Sequence, residues 1–119
     1  IVGCSPANSA VMYHSLRAGE ILDLPSEPTL SDGTAGGVEP GAITFDILAD
    51  LLDDFVTVGE DDIRRAFLDL IEIEHMLVEG SAAMAYAAAR THARATEGRT
   101  AVILCGGNVG TEKLRGILA

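Results

Sequence analysis

Residues able to do chemistry cluster where the apolar runs of this sequence break. The sharpest break is Cys105-Gly106-Gly107-Asn108-Val109-Gly110, set between an apolar run from Thr100 to Cys105 and a helical stretch through Leu118. Glycines at such a turn let backbone approach a ligand closely, and the N–H groups of a helix start favour an anion. The pattern falls short of a dinucleotide fingerprint, because no second strand with a ribose-binding acid at its end follows Gly110. A plain strand-to-helix turn is the alternative. Glu79 stands between two apolar helical stretches, where a carboxylate becomes partly buried and needs a partner. Capping of the helix that opens at Ser81 is its alternative role. Asp32-Gly33, inside the Gly-rich stretch Ser31 to Gly37, is a common turn pair that is expected to face solvent.

His14, His75 and His92 have no metal-binding spacing with one another or with Cys4 and Cys105. Glu72 and His75 form one helical i, i+3 pair, which is too few ligands for a metal. All three histidines read as surface or satisfied helix residues. The acids from Asp50 to Asp62 read as a solvated face. No nucleophile elbow and no Cys/His pair is present to suggest covalent catalysis.

These residues must be positioned by alternating strands and helices. Ile1 to Cys4 reads as a short buried strand, and Ser5-Pro6-Ala7-Asn8 as helix-start chemistry for a helix over Ser9 to Ala18. Gly19 to Pro40 carries loop signals throughout, and a loop of that length is functional or disordered. A helix is expected from Ile43 to Leu52 and a strand from Asp53 to Val58. Glu60-Asp61-Asp62 suit the positive end of the next helix. Its apolar set Ile63, Ala66, Phe67, Leu70 and Ile71 has the spacing of one buried face, and the helix is expected to run to Leu77. Glu79-Gly80 breaks it before an Ala-rich helix from Ser81 to Ala95. Thr100 to Cys105 reads as a third strand. The class is therefore α/β with a mostly parallel sheet of about three strands in a three-layer arrangement. So few parallel strands leave much surface uncovered, as in a piece of a larger domain.

The chain has 119 residues, 18 Asp and Glu against 8 Lys and Arg, and a net charge of −10. Nucleic acid and anionic membranes, which need clustered basic residues, are poor partners for it. No apolar run is long enough to cross a membrane. The two cysteines lie far apart without Cys-x-x-Cys spacing, so a reducing, cytoplasmic setting is expected. Aromatic residues make up 4% and there is no Trp, so the core is expected to be built from Ala, Leu, Ile and Val.

Taken together, the segments resemble the C-terminal part of the pyridoxal-phosphate-dependent threonine/serine dehydratases, the fold type II (tryptophan synthase β-like) family that includes serine racemase. The residues that carry the resemblance are Ser5-Pro6-Ala7-Asn8, Pro28-Thr29-Leu30-Ser31-Asp32-Gly33, Leu77-Val78-Glu79-Gly80-Ser81-Ala82 and Leu104-Cys105-Gly106-Gly107-Asn108, in the family's order. Asp53-Asp54-Phe55-Val56-Thr57-Val58 before an acidic helix start matches too. The stretch Gly33 to Phe45 is similar to the dehydratases of hydroxyectoine breakdown.

The resemblance implies a cofactor wall. Cys105 matches the residue that hydrogen-bonds the pyridine nitrogen of pyridoxal 5'-phosphate, Gly33 a backbone that lines the cofactor ring, and Glu79 a carboxylate close to the cofactor. Asn108 matches the Asn that braces the Cys105 turn. The implied reaction converts a β-hydroxy amino acid such as threonine or serine to a 2-oxo acid and ammonia, in an enzyme expected to be a cytoplasmic homodimer. Two departures qualify it. The family's cofactor-bearing lysine and phosphate-binding glycine loop precede these motifs, and the only lysine here, Lys113, follows them. Residues 1–119 are thus expected to be the C-terminal segment of one catalytic domain, with no catalytic residue of their own and no activity in isolation. The Glu and Asp that hold a divalent ion in serine racemase-like members match Ser5 and Val11, so no metal is expected there. A stand-alone ligand-binding or regulatory α/β module is the rival reading, and a lysine upstream of Ile1 would separate the two.

Overall fold

The computed structural model describes residues 1–92 and 98–119. Strand β1 (Val2–Pro6) leads through a 3-10 turn at Ala7–Ser9 into helix α1 (Val11–Ala18), which Gly19 closes in the left-handed conformation at φ 76°. The long loop that follows contains one 3-10 turn, Asp32–Thr34. Helix α2 (Ile43–Leu51) then leads into β2 (Asp54–Val58), which pairs in parallel with β1 from Val2↔Asp54 to Pro6↔Val58.

Helix α3 (Glu60–Glu72) buries Ile63, Ala66, Phe67 and Leu70, the face its spacing predicts. Against it packs α4 (Gly80–Thr91), whose alanines 82, 83, 87 and 88 let the two helices close tightly. Val58 of β2, Val78 and Ile117 of the last helix α5 (Thr111–Leu118) complete this core. The largest side chain in it is Phe67, fully buried, so one aromatic residue fills space that the aliphatic composition alone would leave open. Burying a side chain of that size contributes about 1.5–3 kcal/mol.

Several expectations are corrected. Helix α3 stops at Glu72, five residues before Leu77, because Met76 N–H turns back to Leu70 O and His75 takes φ 56°. His75 therefore stands in an exposed loop, and the Glu72/His75 helical pair does not form. The sheet has two strands among the described residues. Thr100 to Cys105 does alternate, with Val102 and Leu104 half-buried and Ile103 72% exposed, but it is not a strand of the sheet among the described residues. A strand is a property of a pair, and periodicity alone cannot supply the neighbour. The end of the Ala-rich helix expected at Ala95 lies outside the described residues; its described part ends at Thr91.

Candidate functional site

At the start of α4 three distant segments meet. The Glu79 N–H donates to Gly106 O at 3.1 Å, which docks the Cys105–Asn108 turn onto the entrance of the helix. Glu79 occupies the capping position in extended conformation, yet its side chain caps nothing on α4. Instead Oε1 accepts from Ser81 Oγ at 2.5 Å and Oε2 accepts from the Asn108 N–H at 3.2 Å. Glu79 thus sits where a cap would sit, and its carboxylate bridges the Ser81 hydroxyl of α4 and the backbone of the facing turn.

The fit is close enough to dictate glycine. Gly106 has φ 121°, and a Cβ there would lie 2.6 Å from Glu79 Cδ. Gly33, in the Asp32–Thr34 turn, faces the same carboxylate, and a Cβ on it would stand 3.5 Å from Glu79 Oε1. Gly80 is tighter still, since its Cβ would fall 1.9 Å from Leu30 O. So Gly33, Glu79 and Asn108 converge, and Cys105 joins them through Gly106. Gly33, Cys105, Gly106 and Asn108 are exposed and Glu79 is half-buried, which makes the site an open wall rather than a closed cavity.

The segment before Gly33 is held from below. The Leu30 N–H donates to Glu60 Oε2 at 2.7 Å, and the fully buried Ser31 shares a hydrogen bond with Thr34 Oγ1 at 2.7 Å. Glu60 therefore leaves the solvated face assigned to the acids of this region, whereas Asp54 stays exposed on it and pairs with His92 at 2.9 Å. Lys113 of α5 pairs with Asp32, and its ammonium holds the Asp32 carboxyl below the ordinary carboxylate range. Burial, and then the nearby Cys105, push the Cys4 thiol up, so Cys4 stays protonated beneath the exposed Cys105. Ser5 and Val11 are buried, and among the described residues no group of three or more His, Cys, Asp or Glu could hold a metal ion.

Sequence reasoning missed Gly80, Glu60 and the Lys113–Asp32 pair. The first had a signal: a glycine inside the first turn of a helix weakens it and calls for a packing reason. The other two are contacts across 30 and 81 residues of chain (113 − 32), for which local pattern carries no sign.

Residues 1–106 match the family model described as pyridoxal-phosphate dependent enzyme. The chain is 36% identical to the L-threonine ammonia-lyase of Geobacter sulfurreducens, covering all of this chain and 31% of that protein. It is 33% identical to the catabolic L-threonine dehydratase of Escherichia coli K12, over 92% of this chain and 34% of that one. Among solved structures it is similar to maize serine racemase, with TM-score 0.85, 30% identity and coverage of 99% of this chain and 37% of the other. The T.th. threonine deaminase gives TM-score 0.81 at 31% identity, over 92% of this chain and 35% of that one. The chain spans about a third of the length of the curated relatives it matches.

Proposed function

We propose that this chain, which belongs to the pyridoxal-phosphate dependent enzyme family, forms one wall of the cofactor site in a fold type II dehydratase of β-hydroxy amino acids. One observation carries the reading: Gly33, Glu79 and the Cys105–Asn108 turn, far apart in sequence, gather on one exposed face. The residues suit the cofactor. Two positions without side chains flank a carboxylate, and an exposed thiol stands beside them.

In this reading Cys105 presents its thiol to the pyridine nitrogen, Gly33 lets the ring lie against backbone, and Asn108 braces the turn through its N–H on Glu79. When bound, pyridoxal phosphate supplies the electron sink that eases loss of the α-proton and the β-hydroxyl. A thiol is a weak donor that leaves the ring nitrogen largely unprotonated, which moderates the sink to the level that elimination needs. The substrate is a free amino acid, threonine or serine, in keeping with the names of the relatives, and the products are a 2-oxo acid and ammonia. The lysine that carries the cofactor and the cradle for its phosphate are assigned to residues outside 1–119, since Lys113 is engaged by Asp32. A homodimer and a cytoplasmic location go with this reading; no helix among the described residues is long and apolar enough to cross a membrane.

The test is Cys105→Asp in the full-length protein. A carboxylate against the ring nitrogen is expected to lower 2-oxo acid release from threonine about tenfold, a barrier change of about 1.4 kcal/mol. Unchanged turnover would remove Cys105 from the cofactor's surroundings. Absence of 2-oxo acid from threonine and serine with the unsubstituted protein would overturn the reaction.

A further inference from the structure

We infer that Lys113, on the last helix, is a positioning residue for the cofactor wall: through Asp32 and the Leu30 carbonyl it fastens the turn that holds Gly33 against Glu79. The inference rests on the reading of this face as the cofactor wall.

The loop from Leu30 to Asp32 is gripped by three helices. From α3, Glu60 Oε2 accepts the Leu30 N–H. From α4, Gly80 offers a surface flat enough for the Leu30 carbonyl. The first acts at the Leu30 N–H and the second at the Leu30 carbonyl and the Ser31 N–H; neither places a charged group on Asp32. Lys113 from α5 lies 3.5 Å from Leu30 O and pairs with Asp32, the residue next to Gly33. Its side chain is 27% exposed, against 69% for Asp32. The lysine is thus the fixed partner and the turn is what it restrains, because a partly buried ammonium has given up hydration and rotamer freedom already. Without it, among the described residues, the turn keeps the local bonds from Thr34 N–H to Ser31 O, Ala35 N–H to Asp32 O and the Ser31–Thr34 hydroxyl pair, and beyond Gly33 the bond from Gly36 N–H to Ser9 Oγ at 2.9 Å, while Asp32 loses its charged partner. Residues 32–37 are otherwise exposed. The partners of the Lys113 ammonium among the described residues are Asp32 and the Leu30 carbonyl, so its effect on the wall passes through that turn.

The depressed Asp32 carboxyl agrees with this placement. The pair is complete at pH above the ordinary carboxylate range and is lost only as pH falls through the lowered folded-state value. In the full-length holoenzyme, Lys113→Met is expected to weaken pyridoxal phosphate binding about two- to fivefold and to reduce the visible circular dichroism of the bound cofactor. Lys113→Arg, which keeps the charge, is expected to restore both. Carbon-13 NMR of the Asp32 carboxyl is expected to show titration at higher pH in Lys113→Met and not in Lys113→Arg. If Lys113→Met does not fold, Asp32→Asn removes the same pair from the exposed side and is expected to give the same loss. Normal cofactor dichroism and affinity in Lys113→Met or Asp32→Asn would overturn the inference alone, as would a loss that Lys113→Arg does not recover. Failure of the unsubstituted enzyme to bind pyridoxal phosphate would overturn the reading of the face, and the inference with it.

Discussion

Gly59-Glu60 and Glu79-Gly80 each bring an extended segment into a helix with one glycine and one glutamate at the junction. At α3 the glycine is idle: a Cβ on Gly59 would meet nothing nearer than Asp62 Oδ2 at 3.9 Å. There the glutamate works, reaching across to the Leu30 N–H. At α4 the glycine is indispensable, pressed against the Leu30 carbonyl, and the glutamate leaves Leu30 alone, bridging Ser81 and the Cys105–Asn108 turn. The two junctions thus hold the same residue from opposite sides, one by charge and one by shape. Residue type at a helix start does not set its task. What faces that start does, and here the faces are Leu30 and the site wall.

The comparison can be broken most forcefully at Gly80. Gly80→Ala is expected to cost about 3 kcal/mol in a denaturant melt, because the contact lies on backbone that cannot rotate aside. A stability within about 0.5 kcal/mol of the parent, the size of a surface effect, would mean that the α4 junction is as roomy as its counterpart. Glu60→Ala comes next, at about 1–3 kcal/mol, since it strands the Leu30 N–H in a half-buried place. Hydrogen exchange should quicken at the Leu30 amide in that variant, and unchanged protection there would detach α3 from the loop. Gly59→Ala is the smallest change, within about 0.5 kcal/mol either way, as φ is −74° and the space is open. A large loss from Gly59→Ala would erase the contrast between the junctions.

Much of the fold was legible before the chain was folded. The α3 face followed from spacing at 63, 66, 67 and 70, and β2, α1, α2 and α5 fell within a few residues of their expected bounds. Local forces explain this success: an apolar stripe, three acids at a helix start and a glycine stop act within a turn or two. The end of α3 was not legible, because Ile73, Met76 and Leu77 continue an apolar pattern while remaining 65%, 44% and 56% exposed. Thr100 to Cys105 differs for the complementary reason: it has the alternation but is no strand among the described residues, since alternation alone does not form a ladder. For the candidate site, the resemblance drew attention to Gly33, Glu79, Cys105 and Asn108. Which atoms of Glu79 face which neighbour had no trace in the sequence.

The sequence by itself determined where helices start, which faces they bury and where backbone is free of side chains, because these are decided by neighbours three or four residues away. Only the tertiary structure decided that one glycine at a helix entrance is idle and another is jammed. It alone joined Lys113 to Asp32 and turned Glu79 from a cap into a strut. Contacts of that kind join residues tens of positions apart, and they exist only once the core of α3 and α4 has closed and fixed the distance between them.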